Sequence, residues 1–148
     1  MKTDFLKLIE SRSGGVFRCH APLSDRALES AAKEMQIVPA RLLAVRDKNA
    51  FLNALAKALQ FPEYFGHNWD AFYDCLLDLE PGSGGTLLLL RDASGFARAE
   101  PEEFAAAVAT LADAADYWKG EGRALLVVVE LETPALAPEL TQISCPAT

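Results

Sequence analysis

Long apolar runs are missing from this 148-residue chain. No stretch approaches the ~20 consecutive apolar residues that a membrane-spanning helix needs, so no membrane contact is expected. The opening residues Met1-Lys2-Thr3-Asp4-Phe5-Leu6-Lys7 have no apolar h-region and carry an early acid, unlike a secretory leader. Cysteine is scarce: Cys19, Cys75 and Cys145 make an odd number, with no C-x-x-C pair. That excludes a disulfide framework and a zinc ribbon, and favours a reducing, cytoplasmic location. Bases are outnumbered, 14 Lys and Arg against 21 Asp and Glu, for a net charge of -7. A phosphate-binding surface would have to form against a repulsive global field, so direct nucleic-acid binding is not expected. Gly82, Gly84 and Gly85 are not followed by Lys-Ser/Thr, which removes a phosphate-binding loop, and no internal repeat is present.

What is present suffices for one core. At 51% apolar residues, the chain is expected to form a single domain over 1–148, with irregular segments at 1–14 and 132–148. A short helix through Phe5, Leu6 and Ile9 fits the first of these. Apolar runs alternate with amphipathic stretches, the pattern of an α/β layered fold with a mostly parallel sheet of three to four strands packed with helices. Strands are expected at Gly15–Cys19, Leu42–Val45, Thr86–Leu90 and Ala124–Glu130; the last two are near-continuous Leu and Val, as in strands covered on both faces. Ser24 suits the cap of a helix to about Met35, with Leu23 stapled against Leu28. Asp47 suits the cap of another to about Gln60, burying Phe51, Leu52, Leu55 and Leu59. Pro101 suits a first helical position, followed at helical spacing by Phe104, Val108, Leu111, Ala115 and Trp118.

The distinctive stretch is Phe61 to Glu80. Pro62 and Gly66 mark a turn, and Asn68 suits the cap of a helix to about Leu79. At ~100° per residue, Asp70, Asp74 and Asp78 fall within about 80° of one another, while Trp69, Phe72, Leu76 and Leu79 gather on the other side. Tyr73 and Leu77 flank the aspartates. Like charges at i, i+4 destabilise a helix by about 0.2–0.5 kcal/mol per pair, and no Lys or Arg occurs from Ala58 to Leu90 to offset them. Glu63, Asp70, Asp74, Asp78 and Glu80 give that window a charge of -5, leaving only -2 for the rest of the chain. A solvated acidic face is the plain account of such a column.

The complete string favours a more specific one. Residues 62–76, Pro-Glu-Tyr-Phe-Gly-His-Asn-Trp-Asp-Ala-Phe-Tyr-Asp-Cys-Leu, resemble the barstar-family pattern P-E-Y-aromatic-G-x-N-x-D-A-apolar-aromatic-D-C-L. The element order from Leu42 to Glu130 is also similar to that family's. The resemblance implies a barstar-like fold and an intracellular inhibitor that plugs the basic active site of a barnase-type ribonuclease with its acidic loop and helix, residues 62–80. By motif position it implies that Asp74 is the central carboxylate, Asp70 a second acidic contact, Tyr64 an aromatic stacking on a catalytic histidine, Asn68 a loop support and Tyr73 a contacting aromatic. Leu77 and Asp78 continue that face, and Asp113 on the last long helix is a further acidic contact. The chain departs from the pattern in two places. A strand-helix unit at 15–35 precedes it and is expected to add an edge strand, and Leu77-Asp78-Leu79 replaces the small residue and aromatic of short members.

Other readings are weaker. Asp70, Asp74 and His67 could be imagined as an acid/base hydrolase site, but exposed aspartates on one helix face lack the means to split their pKa values. The same three residues match no zinc or EF-hand pattern, so neither metal nor cofactor is expected. Cys75 falls near the apolar face and suits a structural thiol, and Cys19 suits a core position beside an exposed His20. Trp69 and Trp118 are expected to fill the core. An interaction module for some other basic protein stays open.

Overall fold

The computed structural model describes residues 2–62, 67–82 and 84–144. The elements run β1 (Lys2–Asp4), α1 (Phe5–Glu10), β2 (Gly15–Cys19), α2 (Asp25–Ala32), β3 (Gln36–Arg41), α3 (Lys48–Leu59), α4 (Trp69–Asp78), β4 (Thr86–Arg91), α5 (Ser94–Ala99), α6 (Pro101–Gly120), β5 (Leu125–Glu130), a 3-10 turn (Pro134–Leu136) and β6 (Thr141–Ser144). The strands form one sheet in the order β1-β6-β2-β5-β4-β3, with every pairing parallel.

The α/β layered architecture follows from alternation along β4 and β5. Leu88, Leu90, Val127 and Val129 face a core built with α3, α4, α5 and α6. Their neighbours Leu87, Leu89, Leu126 and Val128 face a second core built with α1 and α2. Both strands are covered on two sides, which is why they read as unbroken apolar runs. The caps also match their sequence signals: Ser24 accepts from the Ala27 N–H at 3.1 Å and Asp47 from the Ala50 N–H at 2.8 Å.

Three expectations are corrected. Among the described residues the sheet has six strands rather than three to four, because the segments expected to be irregular at 1–14 and 132–148 contribute β1 and β6, while the short helix expected through Phe5, Leu6 and Ile9 is α1. These outer strands are only three and four residues long, and β6 turns one buried apolar residue, Ile143, inward, too little to give a periodic signal. The unit at 15–35 does add a strand, but β2 pairs with both β5 and β6 and lies inside the sheet. The strand expected at Leu42–Val45 is instead β3 at Gln36–Arg41, and residues 42–45 form a turn closed by Val45 N–H to Leu42 O at 3.0 Å. Pro39 obscured β3: proline is tolerated here because among the described residues β3 is an edge with β4 as its one neighbour, so one side of its backbone carries no ladder bond to them.

At the carboxyl end of the sheet, Arg91 Nε donates to Glu130 Oε1 at 3.0 Å, and Glu130 Oε2 accepts the Leu23 N–H at 2.8 Å. Glu130 is 6% exposed, so its carboxylate is stable only while these donors hold it. They tie β4, β5 and the start of α2 together. Glu130→Ala is expected to cost about 2–3 kcal/mol in urea unfolding, because it strands both a guanidinium and a buried N–H.

Candidate protein-binding face

Helix α4 begins where the sequence places it. Asn68 is extended at φ -145°, and its Oδ1 accepts the Ala71 N–H at 2.8 Å. One residue earlier, His67 Nε2 lies 2.6 Å from Asn53 Oδ1, tying the segment before the helix to α3. Asn68→Ala is expected to lower stability by about 1 kcal/mol, read as a fall in thermal midpoint, by leaving a first-turn N–H uncapped.

The inner face is held by aromatic packing and two hydrogen bonds. Phe72 and Leu76 are buried. Phe72 meets Phe51, Phe61 and Trp69 at ring separations of 5.9, 6.1 and 5.9 Å. Trp69 Nε1 donates to Glu103 Oε2 at 3.2 Å at the start of α6, and Trp118 Nε1 donates to the Leu76 carbonyl at 3.1 Å near its end. The two helices therefore run in the same direction. Trp118 is buried as expected, whereas Trp69 is only half-buried because its indole reaches the rim to meet Glu103.

The outer face carries Asp70, Asp74 and Asp78, all exposed. Among the described residues, none of the three has an ion-pair partner. Tyr73 and Leu77 are half-buried beside them. Asp113 is exposed on α6, a different element from the aspartate column. Tyr64, with Glu63, Phe65 and Gly66, lies outside the described residues. The structure thus brings Asn68, Asp70, Tyr73, Asp74, Leu77 and Asp78 onto one helix and its cap, with Asp113 on the neighbouring helix.

One member of the basic-free window is neutralised from afar. Arg123 lies 2.7 Å from Glu80 and also donates to the Pro81 carbonyl at 2.6 Å. It enters from beyond α6, so local sequence could not reveal it, and among the described residues of the window it leaves Asp70, Asp74 and Asp78 as the carboxylates without an ion-pair partner. The field of these groups is felt at Cys75, whose thiol is pushed above its usual pKa by burial first, then by Asp78 and Asp74. A thiol held protonated in this way is a poor nucleophile, which agrees with the structural reading. Cys19 is buried and His20 exposed, also as expected. Among the described residues, no three His, Cys, Asp or Glu side chains are grouped to hold a metal ion, and no helix is long and apolar enough to cross a membrane.

Residues 35–130 match the family described as barstar (barnase inhibitor). The chain belongs to the barstar family. No curated protein matches it. In this chain the matched region runs from just before β3 to the end of β5 and includes the whole of α4. Outside it lie β1, α1, β2, α2 and β6, so the second helical layer and half the strands are additions to the barstar unit.

Proposed function

We propose that this barstar-family chain is a cytoplasmic inhibitor, without catalytic activity of its own, that blocks the basic active site of a barnase-type ribonuclease with α4 and the segment before it. The observation that carries this reading is the exposed Asp70-Asp74-Asp78 column, which has no cationic partner among the described residues yet stands on a helix fixed by its cap, its rings and two indole hydrogen bonds. A ribonuclease must present positive charge to bind RNA phosphates, and carboxylates on a rigid helix can occupy those positions with little ordering cost. Asp74 is the central contact, Asp70 and Asp78 extend it by a turn each way, and Tyr73 and Leu77 supply apolar contact at the flank. Tyr64 and Asp113 are assigned to the same interface by their place in the family pattern.

Titration into a panel of basic ribonucleases tests this. Inhibition is expected to reach completion at one equivalent for the cognate enzyme, and its absence across the panel would sink the reading. Association is expected to slow at least about tenfold between ~0.05 and ~0.5 M NaCl, because attraction between the acidic helix and a basic site is screened as the Debye length shortens. A salt-independent rate would remove electrostatic steering. The departure at Leu77-Asp78-Leu79 gives a second reading, an interaction module for a different basic protein; a complex with a non-nuclease, lost on changing Asp74, would favour it.

A further inference from the structure

The carboxyl ends of β2, β5, β4 and β3 open on a cavity of about 520 Å³. We propose that this crevice is a binding site for a small organic anion, a carboxylate or phosphate monoester with an apolar body. It is separate from the aspartate column and shares no residue with it.

The topology makes the crevice. From β2 the chain passes to α2, and Leu23 and Ala27 join the core on that face. From the adjacent β5 it passes through Leu131 toward Ala137, both buried in the opposite core. Neighbouring parallel strands whose connections part to opposite faces leave a gap at their carboxyl ends, the usual ligand position in open α/β sheets. The volume lies within the ~300–1,000 Å³ of small-molecule sites. His20 and Pro22 in its wall precede the family-matched region, so the site depends on the added β2–α2 unit.

The chemistry of the lining selects an anion on one side. Glu130 is satisfied by Arg91 and the Leu23 N–H, and Glu132 pairs with Arg98 at 2.5 Å. Arg46 has no carboxylate partner among the described residues; its Nη1 donates to the Leu43 and Val45 carbonyls at 2.7 and 3.0 Å, which fixes the guanidinium and leaves its other N–H groups available. Ser94 is 6% exposed, and its Oγ accepts the Glu132 N–H at 2.8 Å. Its hydroxyl proton has no acceptor among the described residues, so a buried donor remains available in the cavity wall. Gly95 makes room for this arrangement: a Cβ there would lie 2.2 Å from Arg46 Nη1. Asp92 lines the crevice with no ion-pair partner among the described residues, so a ligand's anionic head belongs on the Arg46–Ser94 side. Pro22 and Leu43, the latter 69% exposed, offer the apolar body a surface.

Titration of the ¹⁵N-labelled full chain with benzoate, phenyl phosphate and inorganic phosphate, followed by amide shifts, tests the proposal. Saturable shifts confined to residues 20–23, 43–46, 92–99 and 130–132 are expected with benzoate, phenyl phosphate or both, and the tighter of the two identifies the preferred head group. Arg46→Gln is expected to weaken binding about tenfold by removing the charged donor. Gly95→Ala should weaken it similarly by displacing the guanidinium, with cooperative unfolding retained in both variants. No saturable shift with any probe, binding unchanged in both variants, or inorganic phosphate binding as tightly as phenyl phosphate would overturn the proposal. Because the aspartate column is not involved, the result stands whether or not a ribonuclease is inhibited.

Discussion

Replacing Asp74 with alanine is expected to weaken the proposed ribonuclease complex by about 2–5 kcal/mol, roughly 30-fold to several thousand-fold in Kd, while leaving the free protein as stable as before or slightly more so. The affinity range is that of a charge removed from a buried interfacial pair, and barnase–barstar is itself one of the complexes that define it. The opposite sign in the free protein follows from the helix. Asp74 is exposed, has no ion-pair partner among the described residues and stands one turn from both Asp70 and Asp78. Removing it relieves two i, i+4 repulsions of about 0.2–0.5 kcal/mol each. Asp74→Asn keeps the shape and removes the charge, so comparing it with Asp74→Ala separates electrostatics from fit. Stopped-flow association and dissociation, set beside urea unfolding, measure both effects. If affinity and stability fell together, Asp74 would be a structural residue and the proposed role would fail.

Phe51→Ala is expected to have the largest effect on the fold, about 3–5 kcal/mol, equivalent to roughly 6–20 °C in thermal midpoint for a chain of this size. Phe51 is 1% exposed and stands where three elements meet. Its ring stacks on Phe96 of α5 at 5.1 Å and contacts Trp69 and Phe72 of α4, each at 5.9 Å. Alanine would open a cavity beneath the inner face of α4, which the surrounding aromatics are too rigid to fill. The outer aspartates would be untouched, so any loss of inhibition below the unfolding transition would report misplacement of α4 and not a missing contact. Differential scanning calorimetry together with an inhibition titration separates the two.

Much of α4 was legible because its determinants are local. Asn68 as the cap, Phe72 and Leu76 inward and three aspartates outward follow from spacing alone. The buried stripe of α3 and the Pro101 start of α6 were legible for the same reason. What escaped depends on residues far apart in the chain. Leu42 carries the apolar signal of a strand, yet it stands just past the end of β3, where its N–H bonds to the Arg91 carbonyl and its own carbonyl accepts the Val45 N–H that closes the turn. Proline at position 39 is a breaker signal in sequence, and only the edge position of β3 accommodates it. Helix α5 is six residues long, has no side-chain cap hydrogen bond and carries Gly95 in its first turn, so it gave no helical signal. The neutralisation of Glu80 by Arg123 and the crevice shared by four strand ends are likewise products of topology. Sequence spacing locates a face on one helix well; a site assembled from several strand ends it does not.

The pairing of β1 with β6 has a consequence for biosynthesis. Lys2–Asp4 bonds along Gln142–Ser144, so β1 has its partner among residues synthesised well over a hundred positions later. At about 5–20 residues per second, β1 waits on the order of ten seconds, and nascent apolar strands such as β4 emerge before the sheet can close. Contacts that distant also slow folding. The region from β3 to β5, including α4, is contiguous in the chain and can condense while translation continues. The candidate binding face placed there can form on the ribosome before the outer strands of its own sheet have met.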